Sequence, residues 1–514
     1  MKYFLTLIQL WVGFLSICAS YPKANIWIIP SVESPQVYRN YAQTSKVHLE
    51  MARGEVEHIQ LVFPSKVNEE YRFTFDRYLK GIQISARELK KMNGYYDALV
   101  PFKNQLKCTD TLTAVWITVQ CPSRVPVGKY HQTIKIEGSK HFTIQLDYNV
   151  HHTTIPLKSS IPITVGVENR CMTEGLNDKE ADKERQRWVD FVLSYRMTPV
   201  FGTQITPERW QYEHSFSPWA WNDKRSIRLL NDRRYSCYML PFFTLSENEL
   251  ASLLCNIQKK GKLKESLFYI WDEPAYMEDY EQIKRKVNII RKYASDARIL
   301  TTFFCGPRNG PRKGDLYAVF DYLKHHIHVA TISLAPCKGN EEEVQHIRYK
   351  VPEGIDWWGY VCWQPGGNEP NFLLQMKGIQ QRAIMWRTWK NGSQGFLYWN
   401  CNIYHKRNPF TYITDMPHGD GILIYPGDIL GCKGPIASAR LERWRDGAEE
   451  MELLRLVEKN YSKEKADTLL NIVYSSPLSF IEKAHNIPFF RKELLDQLDK
   501  TIPIDYKLRI TDFI

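Results

Sequence analysis

The sequence predicts a multidomain β and α/β protein: an N-terminal β-sandwich, then a (β/α)8 TIM-like barrel, then a C-terminal helical extension. Three observations carry this. Strand-period alternation dominates the first 150 residues or so, short apolar runs then alternate with amphipathic helices, and the last stretch carries helical patterning. A chain of 514 residues is long enough for two or three domains with cores of their own.

Residues 1–20 read as a secretory signal peptide: Lys2, an apolar stretch to Ile17, then the small residues Ala19 and Ser20 at an expected cut near Ser20. Ile17 before Cys18 fits a lipoprotein box poorly. No later apolar run reaches the length of a membrane span. A secreted or periplasmic protein is expected, with no transmembrane segment once the leader is removed.

The β-sandwich is expected over residues 21–155. In "HFTIQLDYNV" Phe142, Ile144, Leu146, Tyr148 and Val150 share one face, the signature of a half-buried strand. "YHQTIKI" precedes it across Gly138-Ser139 as a hairpin. "TAVWITVQC" and "EHIQLVF" are further strands. Cys108 and Cys121 bracket a strand-like segment and could pair. The other cysteines lack CxxC spacing and are expected as buried thiols. "HHTTIPLKSSIP" reads as a linker with Pro156 and Pro162 at its joints.

The barrel is expected over residues 156–460. Its strands would be "IPITVGVEN", "MTPVF", "SCYMLPFF", "SLFYIWDE", "RILTTFFC", "HVATISLAP", "DWWGYVCW" and "GFLYWN". Helical segments fall between most of them, such as "DKERQRWVDFVLSY" and "YEQIKRKVNIIRKY", where Ile283, Val287 and Ile290 share a face. About eight such units over roughly 280 residues suit a (β/α)8 barrel. The helix after the last run arrives late, with Leu441, Trp444, Ala448 and Met451 as its apolar stripe. The Gly- and Pro-rich insert before it is expected over the barrel mouth. Residues 461–514 form the helical tail.

The formal net charge is +11, from scattered basic residues. No nucleic-acid motif, P-loop, GxGxxG or HExxH is present, and "HHIH" (residues 325–328) lacks metal-ligand spacing. No cofactor, metal or nucleic-acid partner is expected. Asp420 and Asp446, set among glycines, are expected to fix loops and helix ends.

The chemistry gathers at "YIWDEP". Asp272 and Glu273 end the fourth apolar run, at the end of a barrel where active sites are built, and Pro274 stops the strand. Ordinary glycosidases flank the anomeric carbon with two carboxylates, about 5–5.5 Å apart for retention or roughly 6.5–9.5 Å for inversion. Successive side chains on a strand point apart, so neighbours are poorly placed for that. They suit a reaction in which a 2-acetamido sugar supplies its own nucleophile. One carboxylate then holds the acetamide, and the other protonates the departing oxygen. An ionised Asp272 would raise the pKa of Glu273, as a general acid at neutral pH requires.

The sequence also resembles glycoside hydrolase family 123, whose catalytic domain is also known as DUF4091. The likeness rests on "YIWDEP", "GSQGFLYWNCNIY" and "GDGILIYPG…GPIASARLERWRDGAEEMELLRL", with "LEMARGEVEHIQLVF" and "VPVGKYHQTIKI" matching the preceding sandwich. The resemblance implies a retaining β-N-acetylgalactosaminidase acting on a glycolipid or glycoprotein glycan. Asp272 would orient the acetamide and Glu273 would be the acid/base. By position, Trp399, Asn400, Tyr360 and Trp363 are candidates for the acetamide pocket or sugar platform. Glu168 is placed either to bind a hydroxyl or to serve the structure. Two other readings stand beside this one: a conventional two-carboxylate retaining glycosidase, and a non-catalytic glycan-binding protein on a barrel scaffold.

Overall fold

The computed structural model describes residues 26–76, 81–206, 211–335, 348–349, 351–404, 409 and 419–501. The expected leader and Cys18 lie outside the described residues, as do much of the Gly/Pro-rich insert and the end of the tail.

Ten strands come first: β1 (Trp27–Pro30), β2 (Lys46–Arg53), β3 (Glu55–Pro64), β4 (Glu70–Phe75), β5 (Gln83–Met92), β6 (Tyr95–Pro101), β7 (Gln105–Lys107), β8 (Leu112–Cys121), β9 (Gly128–Glu137) and β10 (His141–Thr154). They form two five-stranded sheets, ordered β1-β3-β8-β5-β6 and β2-β10-β9-β4-β7. The alternation of β10 has its physical cause here. Phe142, Ile144, Leu146, Tyr148 and Val150 are buried in a cluster with Leu61, Ile117 and Val119 of the other sheet. The hairpin β9–β10 pairs His141 with Glu137, as its turn residues require.

Cys108 and Cys121, whose pairing the sequence left open, are both buried free thiols. Cys121 ends the ten-residue strand β8, whose first residue, Leu112, lies just past Cys108. An extended strand of that length covers about 30 Å, far beyond disulfide reach.

A single nine-stranded sheet follows: β11 (Ile163–Glu168), β12 (Thr198–Thr206), β13 (Gln211–Ser215), β14 (Tyr238–Met239), β15 (Ser266–Trp271), β16 (Arg298–Phe303), β17 (Val329–Ser333), β18 (Asp356–Val361) and β19 (Phe396–Tyr398). Its order is β13-β12-β11-β19-β18-β17-β16-β15-β14. Each of the eight apolar runs contains one of the parallel strands. The sheet turns back on itself through the parallel pairing of β11 with β19. It nearly closes where the Phe216 N–H, just past β13, donates to the Met239 carbonyl of β14 at 2.6 Å. The intruder is β13, antiparallel to β12 and wedged between the second and third parallel strands. Its sequence, "QYEHS", has no apolar run to announce it.

Inside the sheet, Val200, Met239, Leu267, Tyr269, Leu300, Val329, Trp358, Tyr360 and Leu397 make one cluster. Outward-facing Phe268, Ile270, Ile299 and Ile332 pack against helices instead. Those helices include Asp178–Ser194, Glu247–Lys259, Met277–Arg291 and Gly378–Lys390. Ile283, Val287 and Ile290 are buried as the periodicity predicts. The long helix Ala439–Asn460 buries its apolar stripe and most of its charged face too. No helix among the described residues is long and apolar enough to cross a membrane.

Candidate functional site

The site grows from an irregularity in β15. Its pairing with β16 shifts register between Tyr269 and Trp271. In a regular strand, residues three apart face opposite sides; a bulge re-aims them. Thus the Tyr269 hydroxyl donates to Oδ1 of Asp272 at 2.7 Å. The backbone then turns sharply, with Glu273 in the left-handed region at φ 45°. That conformation is uncommon for a residue with a side chain and costs backbone strain. Asp272 and Glu273 therefore line one cleft although they are sequence neighbours.

Their immediate partners come from other strands. Thr302 of β16 donates to Asp272 Oδ1 at 2.7 Å and accepts the Glu273 backbone N–H at 3.0 Å. Two hydroxyls thus converge on Oδ1, while no protein group among the described residues hydrogen-bonds to Oδ2. The Tyr360 hydroxyl of β18 donates to Oε1 of Glu273. Both carboxylates reach the water of the cleft, yet the walls crowd Glu273. That desolvation, and secondarily the charge of Asp272, raise its pKa above the usual carboxylate value. The Tyr360 hydrogen bond and the nearby Arg308 pull in the opposite direction.

Two cavities meet at Asp272. The larger, 540 Å³, is lined by Glu273, Trp271, Tyr276 and Phe243 among others. The smaller, 80 Å³, runs into the barrel mouth between Gly166, Trp399, Asn400 and Val200. Tyr212, His214, Tyr269 and Asp272 line both, whereas Glu273 lines only the larger. Among the described residues, the carboxylates on these walls are Asp272, Glu273, Glu278 and Asp279, all from one stretch. Asp279 is engaged by the backbone N–H groups of Ala275 and Tyr276, and Glu278 by the Asn309 amide.

Trp399 is held by its indole N–H, which donates to Oδ1 of Asp420 at 3.1 Å. The Tyr398 hydroxyl donates to the same oxygen at 3.0 Å. Burial pushes the pKa of Asp420 up to about 6. Asn400 accepts the Asn402 backbone N–H at 2.9 Å, and Asn402 in turn grips the backbone of Glu168.

The structure brings Asp272, Glu273 and Tyr360 together, and puts Trp399 and Asn400 across the smaller cavity from Asp272. Trp363 is 45% exposed and lines neither cavity. Glu168 is buried and caps the short helix Asn169–Thr173 through the Arg170 N–H. Asp446 pairs with Arg382 at 3.1 Å inside the molecule. Among the described residues no three His, Cys, Asp or Glu side chains are grouped to hold a metal ion.

The sequence reading missed Thr302, Tyr269 and His214. A hydroxyl inside an apolar barrel strand was the available signal for the first two. His214 had none, because its strand was unforeseen. Its ring stacks on Tyr269 with centroids 4.1 Å apart, and burial pushes its pKa down to about 3, so it is neutral at physiological pH.

The family model of the glycoside hydrolase 123 catalytic domain matches residues 183–457, more than half of the chain. Among solved structures the chain is similar to a family 123 glycoside hydrolase from Clostridium perfringens, described for the details of glycolipid glycan hydrolysis. The TM-score is 0.62 at 13% identity, covering 95% of this chain and 100% of that one. A GH2 β-galacturonidase from Eisenbergiella tayi, bound to galacturonate, gives a TM-score of 0.33 at 9% identity over 77% of this chain and 89% of its own, too low to bear on function. No curated protein matches the chain.

Proposed function

The chain belongs to glycoside hydrolase family 123 and is a glycosidase; on that premise we propose that it removes terminal β-linked N-acetylgalactosamine from glycans, with retention, by substrate-assisted catalysis. Asp272 orients the acetamide and Glu273 is the general acid and base. The Clostridium perfringens relative is described for glycolipid glycan hydrolysis, and glycolipid glycans are the substrate class proposed here. The N-terminal sheets are read as a β-sandwich over residues 21–155. The nine-stranded sheet is read as a (β/α)8 barrel with one inserted strand over 156–460, and 461–514 as the tail. Export follows from the leader reading, with cleavage near Ser20.

One observation carries the mechanism: two adjacent carboxylates share a cleft with different partners. Asp272 keeps Oδ2 for an acetamido N–H while two hydroxyls hold Oδ1. Glu273 lies on the side of the larger cavity, where a leaving glycan fits, and its pKa is raised in the direction that favours the protonated form a general acid needs. In the first step the acetamido oxygen attacks C1. The bond from C1 to the leaving oxygen breaks, and that oxygen takes the Glu273 proton. The positive charge of the oxazoline is balanced by Asp272. In the second step the Glu273 carboxylate takes a proton from water as its oxygen attacks C1. The C1–oxygen bond of the oxazoline breaks and the acetamide is restored. Two inversions leave a β product.

The test runs an aryl β-N-acetylgalactosaminide and the matching β-galactoside in parallel, with NMR of the nascent product. A β-configured first product and a nearly inert galactoside are expected. An α product would exclude substrate assistance. Comparable turnover of the galactoside would favour the two-carboxylate reading, and no turnover of either would favour the glycan-binding protein.

A further inference from the structure

We propose that Thr302 is the positioning residue that makes two consecutive carboxylates usable as a pair, and this rests on the reading of Asp272 and Glu273 above. Its one oxygen touches both partners. As a donor it holds Oδ1 of Asp272 at 2.7 Å; as an acceptor it takes the backbone N–H of Glu273 at 3.0 Å. The N–H occupies a lone pair of that oxygen, and its single proton goes to Asp272. Tyr269, whose hydroxyl lies 3.1 Å from that of Thr302, donates to the same Oδ1. Two donors on one oxygen fix the carboxylate plane and turn Oδ2 over to the substrate.

The same bond supports the turn. Glu273 sits at φ 45°, which a residue with a side chain holds only when its surroundings over-determine it. The N–H bound by Thr302 belongs to that strained residue. Thr302 is buried on β16, a neighbouring strand, and is itself held by the ladder. Its reference point is therefore the barrel wall rather than the loop it steadies. Among the described residues, the charged and titratable groups around the pair include Tyr269 on β15, Tyr360 on β18, Tyr212 and His214 on β13, Arg308 beyond β16, Tyr276, and Glu278 and Asp279 on the following helix. None of these contacts both the Asp272 carboxylate and the Glu273 backbone N–H.

The test compares Thr302→Val, which keeps shape and loses the hydroxyl, with Thr302→Ser, which keeps the hydroxyl. For Thr302→Val, kcat on an aryl β-N-acetylgalactosaminide should fall about 10- to 100-fold with KM changed by less than about threefold, as for loss of a hydrogen bond to a charged group. Affinity for the N-acetylgalactosamine thiazoline, which mimics the oxazoline, should fall in step with kcat, while affinity for free N-acetylgalactosamine stays the same. Thr302→Ser should restore both to within about threefold. If the Val variant does not fold, Thr302→Ala carries the same measurements. Unchanged kcat and thiazoline affinity in Thr302→Val would overturn the inference. So would parallel losses of thiazoline and free-sugar binding that Ser does not rescue, since they mark a merely structural residue. Asp272→Asn is measured alongside. If it loses thiazoline affinity while Thr302→Val does not, only the role of Thr302 falls. If Asp272→Asn binds and turns over normally, the reading of the pair falls, and the role of Thr302 with it.

Discussion

Tyr360 donates a hydrogen bond to the carboxylate that must give its own proton away. That bond favours the ionised form of Glu273, against the crowding of the cleft and the charge of Asp272, which together raise its pKa. The sign of the consequence is fixed. Cleavage that needs protonated Glu273 is lost as pH rises through its pKa, so the alkaline limb of kcat/KM reports that group. Tyr360→Phe removes an influence that lowers the pKa, so the limb should move to higher pH. A pH profile of the variant against the parent, on a glycan with a poor leaving group, checks this. A limb that moves to lower pH would mean that Tyr360 acts otherwise.

Among the elements, two strands decide the shape of the site. The bulge in β15 brings Tyr269 and Asp272 to the same side, and β13 fills a gap between parallel strands with the ring of His214. A third junction depends on a missing side chain. A Cβ at Gly166 of β11 would sit 1.8 Å from the Trp399 carbonyl oxygen, and one at Gly421 would sit 2.5 Å from the indole ring of Trp399. Trp399 is thus clamped from two sides and tied to Asp420. Gly166→Ala should push the Trp399–Asn400 backbone outward, costing about 1–3 kcal/mol as overpacking does. Because both residues line the smaller cavity, KM should rise as well. Thermal melting and steady-state kinetics test this together, and unchanged KM would separate the clamp from substrate binding.

On the scale of the whole molecule, the helix Ala439–Asn460 joins the parts. Arg440 pairs with Asp97 of β6 at 2.9 Å, Glu442 with Arg87 of β5 at 2.6 Å, and Glu450 with Arg382 of the helix Gly378–Lys390 at 2.6 Å. Glu452 accepts the backbone N–H of Ser160 in the linker. Arg491 of the C-terminal helix Ile487–Asp499 reaches Glu57 of β3 at 2.8 Å. The charges of "ARLERWRDGAEEMELL" are therefore interior contacts, not a solvated face. Removing one partner takes a counter-ion away from a buried charge, which typically costs about 3–5 kcal/mol. Arg382→Leu takes the guanidinium from both Asp446 and Glu450, leaving Asp446 with His58 and Glu450 with Trp386 and Arg491, and should lower stability by about that amount in denaturant unfolding. A loss below about 1 kcal/mol would place the joint elsewhere.

The sequence by itself determined the local order of this protein. Hydrophobic period revealed β10 and its hairpin, the eight parallel runs and the faces of the helices, because each follows from residues close in the chain. The ends of those runs also marked where carboxylates meet the mouth, at Asp272 and Glu273. The tertiary structure alone decided which groups hold them. Thr302 and Tyr360 reach the pair from strands 29 and 87 residues away in sequence, through a register that one bulge alters. It also separated Cys108 from Cys121 by an extended strand, and left Trp363 outside the cavities. It turned the charged face of Ala439–Asn460 inward. Period within one element cannot report any of these, since pairing between elements depends on register, closure of the sheet and what packs on each face.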